Sequence, residues 1–234
     1  MKRSYEKEMM DLAGNSPEIL ADDLRNLRML NRYLSGSRSV MVALQRALGR
    51  EPLKNISVLD VGTGSADIPS AISAWAKRRG ITVKIVGVEA DPITARIAAD
   101  QTRERAEINI IQGDAGAPAF SPGSFDFVVA SQFLHHFSEA KIVDLLRQWA
   151  KLARRGIVIS DLVRHPVAYY GIRLLTKLTT RNIMTLTDAP LSVRRAFTFK
   201  EWDGLLRQAG IGPVKMFLVF PFRMAAVVEL GGRR

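Results

Sequence analysis

The sequence predicts an α/β protein with a doubly wound, mostly parallel sheet, and three observations lead to that class. Short apolar runs alternate with helical patterns from about residue 56 onward. The runs are apolar at consecutive positions, which is typical of strands that are buried on both faces. The chain has 234 residues, 47% of them hydrophobic, and that is enough for one such domain with an appended cap.

The N-terminal part, residues 1–50, is predicted to be a helical cap segment. Leu24, Leu27, Leu30 and Leu34 recur at steps of three and four residues, which places them on one face of a helix. A second helical pattern follows before the first apolar run begins.

Seven short apolar runs are predicted to be the strands of the sheet. They cover residues 56–61, 83–88, 108–111, 125–130, 156–160, 215–220 and 224–230. Helices are predicted between them at residues 68–77, 92–105 and 139–152. The last two runs flank Pro221, which predicts a closing antiparallel hairpin.

The α/β domain is predicted to comprise residues 51–163 and 198–234. The segment between these two parts, residues 164–197, is too long for a structureless loop in a compact domain. It contains tyrosines, leucines and several cationic residues, and we expect it to form a helical lid insertion.

Two totals restrict the function. The chain has no cysteine, which excludes disulfides, thiolate metal sites, iron–sulfur clusters and cysteine nucleophiles. Its 34 Lys+Arg against 23 Asp+Glu give a net charge of +11. That excess fits nucleic acid, an anionic membrane surface or acidic substrates, and it does not select among them. The charged N-terminus lacks the apolar segment of a secretory signal, so we expect a cytoplasmic protein.

A glycine-rich turn follows the first predicted strand, in the segment SVLDVGTGSAD at residues 57–67. A dinucleotide fingerprint requires a small residue at the position that Asp67 occupies here. A carboxylate at that helix N-terminus would repel a pyrophosphate, and no Gly-Lys-Ser/Thr of a P-loop follows. A nucleoside without phosphates fits better, and S-adenosylmethionine is such a ligand. Asp60 or Asp67 would bind its ammonium group.

Three further segments lie at the carboxyl edge of successive predicted strands, where ligands of such sheets bind. Glu89 is placed to accept hydrogen bonds from both ribose hydroxyls, and Asp114 to accept one from the adenine amino group. The residues expected to contact the cofactor are Asp60, Gly62, Thr63, Gly64, Asp67, Glu89, Ala90, Asp114, Ala115 and Ser131.

The motifs VLDVGTGSAD, GVEADP, QGDA and FDFVVASQFLHHF resemble those of the class I S-adenosylmethionine-dependent methyltransferases, in that family's order. MLNRYLSGSR resembles the segment before the first strand in the ubiquinone/menaquinone-type members. The resemblance implies a Rossmann-like, doubly wound, mostly parallel seven-stranded sheet with a C-terminal antiparallel hairpin and a helical cap. It also implies S-adenosylhomocysteine as product, and Asn31, Ser35 and Arg38 closing over the methionine end. Arg38 would pair with the cofactor carboxylate, or else be a surface arginine.

The histidines of the chain follow predicted strands four and five, at the same edge. The candidates for a catalytic role are His136, Asp161, His135 and His165. The alternative for His136 is a packing residue beside the cofactor, and for Asp161 it is capping of the next helix. No histidine and carboxylate cluster has metal-ligand spacing, so no metal is expected.

Substrate contacts are predicted from the insertion, where Tyr169, Tyr170 and Arg164 would border an apolar pocket. The alternative is that these side chains only pack the lid. We expect a small-molecule methyltransferase of secondary metabolism, acting on an apolar aromatic, phenolic or polyketide-like acceptor, with O-methylation favoured over C-methylation.

Two alternatives stay open at this point. One is a nucleic-acid (RNA) methyltransferase, which the dispersed basic residues make a poorer fit. The other is a non-catalytic S-adenosylmethionine-binding protein. The cations in the lid also suggest a peripheral membrane contact, and a dimer is compatible with the sequence.

Overall fold

The computed structural model describes residues 1–12, 14–49, 53–117 and 119–231. A seven-stranded sheet forms its centre, in the order β3-β2-β1-β4-β5-β7-β6. The strands are β1 (Asn55–Val61), β2 (Thr82–Glu89), β3 (Ile108–Gln112), β4 (Phe125–Ser131), β5 (Ala153–Leu162), β6 (Val214–Val219) and β7 (Arg223–Glu229). The first five are parallel, whereas β7 runs antiparallel to β5 and to β6. The predicted fold class is confirmed.

Eight α-helices surround this sheet in the described residues. They are α1 (Pro17–Tyr33), α2 (Gly36–Leu48), α3 (Asp67–Arg78), α4 (Pro92–Thr102), α5 (Glu139–Leu152), α6 (Pro166–Thr179), α7 (Ile183–Arg195) and α8 (Phe199–Ala209). Short 3-10 helices occur at Met9–Asp11 and Leu134–His136. Within the described ranges, none of the helices combines the length and apolar character that a membrane span requires.

Helix α8 was not predicted, although a local signal marks its start. The Thr198 hydroxyl accepts a hydrogen bond from the backbone N–H of Glu201, and the Glu201 carboxylate accepts one from the backbone N–H of Thr198. This reciprocal capping box is readable in the sequence as Thr-x-x-Glu.

Helices cover both faces of the sheet, and neighbouring residues of each central strand point to opposite faces. Leu59 lies in the core cluster that includes Trp149 of α5 and Trp202 of α8. Val58 lies in the opposite cluster, which includes Leu44 of α2. Helix α2 is therefore a covering helix of the sheet, so the predicted cap segment 1–50 is divided between cap and sheet layer.

The cap consists of α1, α7 and an N-terminal strap, which we define as residues 3–11. The Asp188 carboxylate of α7 accepts hydrogen bonds from the backbone N–H groups of Met9 and Met10, at 2.9 and 3.0 Å. The insertion 164–197 contains α6 and α7, and α7 contacts both α1 and the strap. Two segments far apart in sequence are thereby joined above the carboxyl edge of the sheet.

Replacement of Phe127 tests the central position of β4. The side chain is fully buried, so Phe127→Ala is expected to lower the free energy of unfolding by about 3–5 kcal/mol. Leu218→Ala is the control on β6, where the side chain is 65% exposed and the change should stay within about 0.5 kcal/mol. Urea unfolding followed by circular dichroism measures both, and equal losses would contradict the assignment of the core.

Candidate active site

The glycine turn after β1 requires glycine at its first position. Gly62 has a φ of +65°, and a Cβ built there would overlap the ring of Phe133. Gly64 also has a positive φ, and α3 begins three residues later at Asp67. The turn therefore has no side chain at these two positions, so a ligand at the carboxyl edge of the sheet can approach its backbone closely.

Glu89 holds this turn against the end of β2. Its carboxylate accepts hydrogen bonds from the backbone N–H groups of Gly64 and Ala90, both at 2.9 Å, and of Asp91 at 3.2 Å. Burial raises the pKa of Glu89, and these three hydrogen bonds oppose that rise. Glu89 is therefore a structural clamp as well as a ligand candidate.

Two more carboxylates lie beneath the turn. Asp60 is buried and accepts a hydrogen bond from the Thr63 hydroxyl at 2.6 Å. Burial raises the pKa of Asp60 to about 8, with a further contribution from the charges of Asp67 and Glu89. Asp67 accepts a hydrogen bond from the Asn31 amide at 3.0 Å, and burial raises its pKa as well. A positive ligand would relieve this crowding of like charges.

These groups line a cleft of about 740 Å³, whose described walls are strongly acidic. Eight lining residues carry carboxylates: Glu8, Asp11, Asp60, Asp67, Glu89, Asp91, Asp114 and Asp188. The lining cations are Lys7, Arg28 and Arg195. The buried hydroxyl of Ser131 has no hydrogen-bond partner within the described part of the chain, which leaves a polar group for a ligand. A cationic nucleoside such as S-adenosylmethionine fits this donor and charge set.

A pair of histidines lines the same cleft after β4. The rings of His135 and His136 lie 4.4 Å apart between centroids. Nδ1 of His135 lies 2.7 Å from Oδ1 of Asp161, and Nδ1 of His136 lies 3.0 Å from Oδ2 of Asp11. Each imidazole is therefore oriented by its own carboxylate, which leaves Nε2 for other chemistry.

Both Nε2 atoms face the carboxylate of Glu8 on the strap. The separations are 3.7 Å from His135 Nε2 to Oε1 and 3.9 Å from His136 Nε2 to Oε2. Glu8 is 1% exposed, and burial raises its pKa to about 7 even though His136 and Arg195 oppose the rise. Glu8 Oε1 and His135 Nε2 are buried without a hydrogen-bond partner among the described residues. Such unsatisfied groups mark a place where a proton or a ligand is expected.

The same three residues offer ligand atoms within 4.8 Å of one another, which is the spacing of a metal site. Nε of Arg195, however, lies 3.7 Å from Glu8 Oε1, and its Nη1 donates to Asp11 at 3.0 Å. The guanidinium already supplies the positive charge that a metal ion would bring. The prediction that no histidine and carboxylate cluster has metal-ligand spacing is therefore wrong, while the neighbouring guanidinium of Arg195 disfavours a further cation there.

The structure brings together the residues predicted for the cofactor. All ten from the four edge segments line the cleft, from Asp60 through Ser131. Their contacts with a cofactor remain predictions. Asp114 is exposed at the rim, and its carboxylate accepts a hydrogen bond from the backbone N–H of Gly116 at 2.7 Å.

Arg38 is the exception among the cofactor predictions, because its side chain is exposed on α2 and does not line the cleft. Arg28 of α1 lines it instead and donates to the backbone oxygen of Ser65 at 2.7 Å. Of the other two residues expected over the methionine end, Asn31 lines the cleft and Ser35 does not. Arg28 lies on α1 and Arg38 on α2, and of these two helices α1 is the one that lines the cleft.

Two predictions of catalytic residues are corrected. Asp161 is buried behind His135 and does not line the cleft, so it is a positioning residue. Burial raises the pKa of Asp161, but the charges of His135 and His136 and the hydrogen bonds from His135 and the Leu162 backbone together lower it below the ordinary value. Asp161 does not cap α6, because the side chain of His165 does so by accepting from the N–H of Val167 at 3.2 Å. His165 stacks on Phe222 outside the cleft.

The predicted substrate contacts also lie outside the cleft walls. The guanidinium of Arg164 donates to the carboxylate of Glu201 at 2.6 Å and to the backbone oxygen of Ala196 at 2.9 Å. Tyr169 and Tyr170 contact each other on α6, and Tyr170 is 65% exposed. The lid reaches the cleft through α7, not through α6.

Sequence reasoning missed Glu8, Asp11, Arg28 and Arg195. The charged N-terminus reads as a solvated segment, and no spacing connects Glu8 with histidines more than a hundred residues away. Only the path of the strap, between α7 and the 3-10 helix Leu134–His136, brings these groups together.

Comparisons with known proteins agree with this architecture. Residues 58–156 match the family model described as a methyltransferase domain. The ribosomal protein L11 methyltransferase of Deinococcus radiodurans is 32% identical over 124 residues, which are 50% of this chain and 44% of that protein. The chain thus spans less than half the length of this curated relative.

Two solved structures show the same fold. Human N-acetylserotonin methyltransferase in complex with S-adenosylmethionine aligns over 92% of this chain and 57% of its own, with a TM-score of 0.66 and 18% identity. An S-adenosylmethionine-dependent methyltransferase from Aquifex aeolicus aligns over 93% of this chain and 100% of its own, with a TM-score of 0.65 and 16% identity. Residues 58–156 thus match a methyltransferase domain, and the fold around them is the one that these two S-adenosylmethionine-dependent methyltransferases share.

Proposed function

We propose that the protein transfers a methyl group from S-adenosylmethionine to a hydroxyl of a small, apolar aromatic, phenolic or polyketide-like acceptor of secondary metabolism. One observation carries this proposal. A single cleft joins the carboxylates of the glycine turn to the buried cluster of Glu8, His135 and His136. The first group suits a cationic cofactor, and the second suits removal of a proton from an acceptor.

The apolar character of the acceptor is inferred from the cap side of the cleft. Met10 of the strap, Leu12 directly after it, and Leu24 and Leu27 of α1 line it there. Ligand sites commonly combine such apolar walls with a few placed polar groups. Because these walls belong to the cap, we expect the cap to select the acceptor, while Arg28 and Asn31 of α1 also contact the cofactor side of the cleft.

The residues of the cluster have separate tasks in this proposal. When bound, S-adenosylmethionine supplies an electrophilic methyl group, whose carbon–sulfur bond breaks as the acceptor oxygen bonds to the carbon. His136 accepts the hydroxyl proton at Nε2, while Asp11 holds its Nδ1. Glu8 stabilises the resulting imidazolium, and Asp161 orients His135. O-methylation is favoured over C-methylation because a histidine base removes a phenolic hydroxyl proton more readily than a proton on carbon.

The alternative of an RNA acceptor is disfavoured by the charge of the cleft. Its walls carry eight carboxylates against three cations among the described residues. A phosphate backbone needs the opposite balance, since such contacts are made mainly by lysine and arginine. The net charge of +11 is therefore assigned to surfaces other than this cleft.

Glu89→Ala tests the cofactor assignment. Loss of charge-assisted hydrogen bonds to the ribose is expected to weaken S-adenosylmethionine binding roughly 100-fold, as measured by isothermal titration calorimetry. Glu89→Gln keeps the shape of the clamp on the glycine turn and should still weaken binding. Glu104→Ala is the control, since Glu104 is exposed and outside the cleft. Unchanged affinity in both Glu89 variants would overturn the assignment.

The pKa of Asp60 predicts how cofactor affinity depends on pH. Its folded-state pKa of about 8 lies above the ordinary value, so at pH 6 the carboxyl is protonated and neutral. Affinity for the cation should therefore rise between about pH 6 and pH 8, by up to about tenfold per unit. Calorimetry over this range measures the slope, and Asp60→Asn should flatten it. Affinity that falls with rising pH would contradict the role of Asp60.

Glu8→Gln tests the chemical step. Transfer to a panel of apolar phenols should slow roughly 100-fold, with cofactor affinity retained, because the carboxylate faces the histidines. Glu6→Gln is the matched control two residues away, where the side chain is exposed. Equal rates for the two variants would contradict the role of Glu8. Transfer only to RNA or ribosomal protein would overturn the acceptor class, and complete inhibition by a chelator would assign the cluster to a metal ion.

A further inference from the structure

Helix α6 carries an apolar face that nothing in the described chain covers. Of its 14 residues only Thr176 is buried. Val167, Tyr170, Leu174 and Leu178 are exposed by 60, 65, 61 and 76%. Their spacing of three, four and four residues places them within roughly 80° on a helix that turns about 100° per residue. They form one continuous stripe, which we call the α6 stripe.

The charge around this stripe has a single sign. No Asp or Glu occurs between Asp161 and Asp188. Arg173, Lys177 and Arg181 are exposed in the same segment, and among the described residues none of the three pairs with a carboxylate. By the helical spacing, Arg173 and Lys177 follow one border of the α6 stripe.

An amphipathic helix with leucines and a tyrosine on one face and cations beside it has the composition of an interfacial membrane helix. A bilayer that contains anionic lipids attracts each such lysine or arginine by about 1 kcal/mol. A second copy of this chain is a poorer occupant. A two-fold interface would place the same patch on both sides, and the cations would meet with no carboxylate in the segment to compensate them.

We propose that the α6 stripe docks the protein on an anionic membrane surface. Helix α6 contacts α7, which contributes Asp188, Ser192 and Arg195 to the wall of the cleft. Docking would bring the lid side of the cleft to the lipid surface, where an apolar acceptor concentrates. This consequence for the acceptor rests on the proposed function, whereas the docking itself does not.

The test is co-sedimentation of the full chain with phosphatidylcholine vesicles, prepared with and without phosphatidylglycerol. Binding is expected only to the anionic vesicles and should fall as salt is added. Leu174→Glu combined with Leu178→Glu should abolish it. Arg173→Gln combined with Lys177→Gln should weaken it roughly 30-fold, if each cation contributes about 1 kcal/mol.

Leu218→Glu is the matched control, because Leu218 is equally exposed on β6 and lies outside α6. It should leave vesicle binding intact. Calorimetry with S-adenosylmethionine shows that each variant is folded, and transfer to a detergent-dissolved phenol measures the proposed function separately. Equal binding of the α6 variants and the control would overturn the proposal. So would dimerisation in light scattering that only the α6 variants lose, or retention by acidic proteins and not by vesicles.

Discussion

The contacts of the buried Glu8 carboxylate join the cap to the histidines of the site. It lies against both histidines after β4 and against Arg195 at the end of α7. A carboxylate in such a place is costly unless neighbouring positive or donor groups compensate it. The strap, α7 and the 3-10 helix Leu134–His136 are therefore joined by one electrostatic network. The network joins the cap to the sheet, and its titratable groups line the cleft.

The cleft contains several buried carboxylates, and a positively charged ligand would stabilise their ionised form. Burial raises the pKa of Asp60 and of Asp67, and the charges of Asp67 and Glu89 add to the rise at Asp60, so the free protein holds these carboxylates at an energetic cost. A ligand that carries a positive charge lowers that cost, which makes cofactor binding and carboxylate ionisation mutually favourable. An excess of carboxylates in the site is thus compatible with an excess of cations over the whole chain. The carboxylates of the cleft and the cations of the α6 segment lie on different parts of the described surface.

The two helices of the insertion 164–197, α6 and α7, lie in different environments. Helix α7 buries its residues against the strap and α1, whereas α6 leaves most of its apolar side chains exposed. The proposed membrane contact would bury this apolar face, which the rest of the described chain leaves exposed. The same short insertion can then hold the acceptor side of the cleft and present that cleft to a membrane.

Most of the fold could be predicted from the sequence, since strand and helix periodicity are local properties of the chain. Alternation of buried runs and helices gave the parallel sheet, and Gly62, Asp60 and Glu89 followed from their places after its strands. Arg38 and Glu8 show where this reasoning stops. Arg38 was assigned from the resemblance to the methyltransferase family, but on α2 it is exposed to solvent. Glu8 was passed over because only the path of the strap brings it to the histidines. The sequence by itself determined the sheet, its ligand edge and a phosphate-free cofactor. The tertiary structure alone decided which charges meet in the cleft, because burial and long-range chain paths, not local spacing, set those distances.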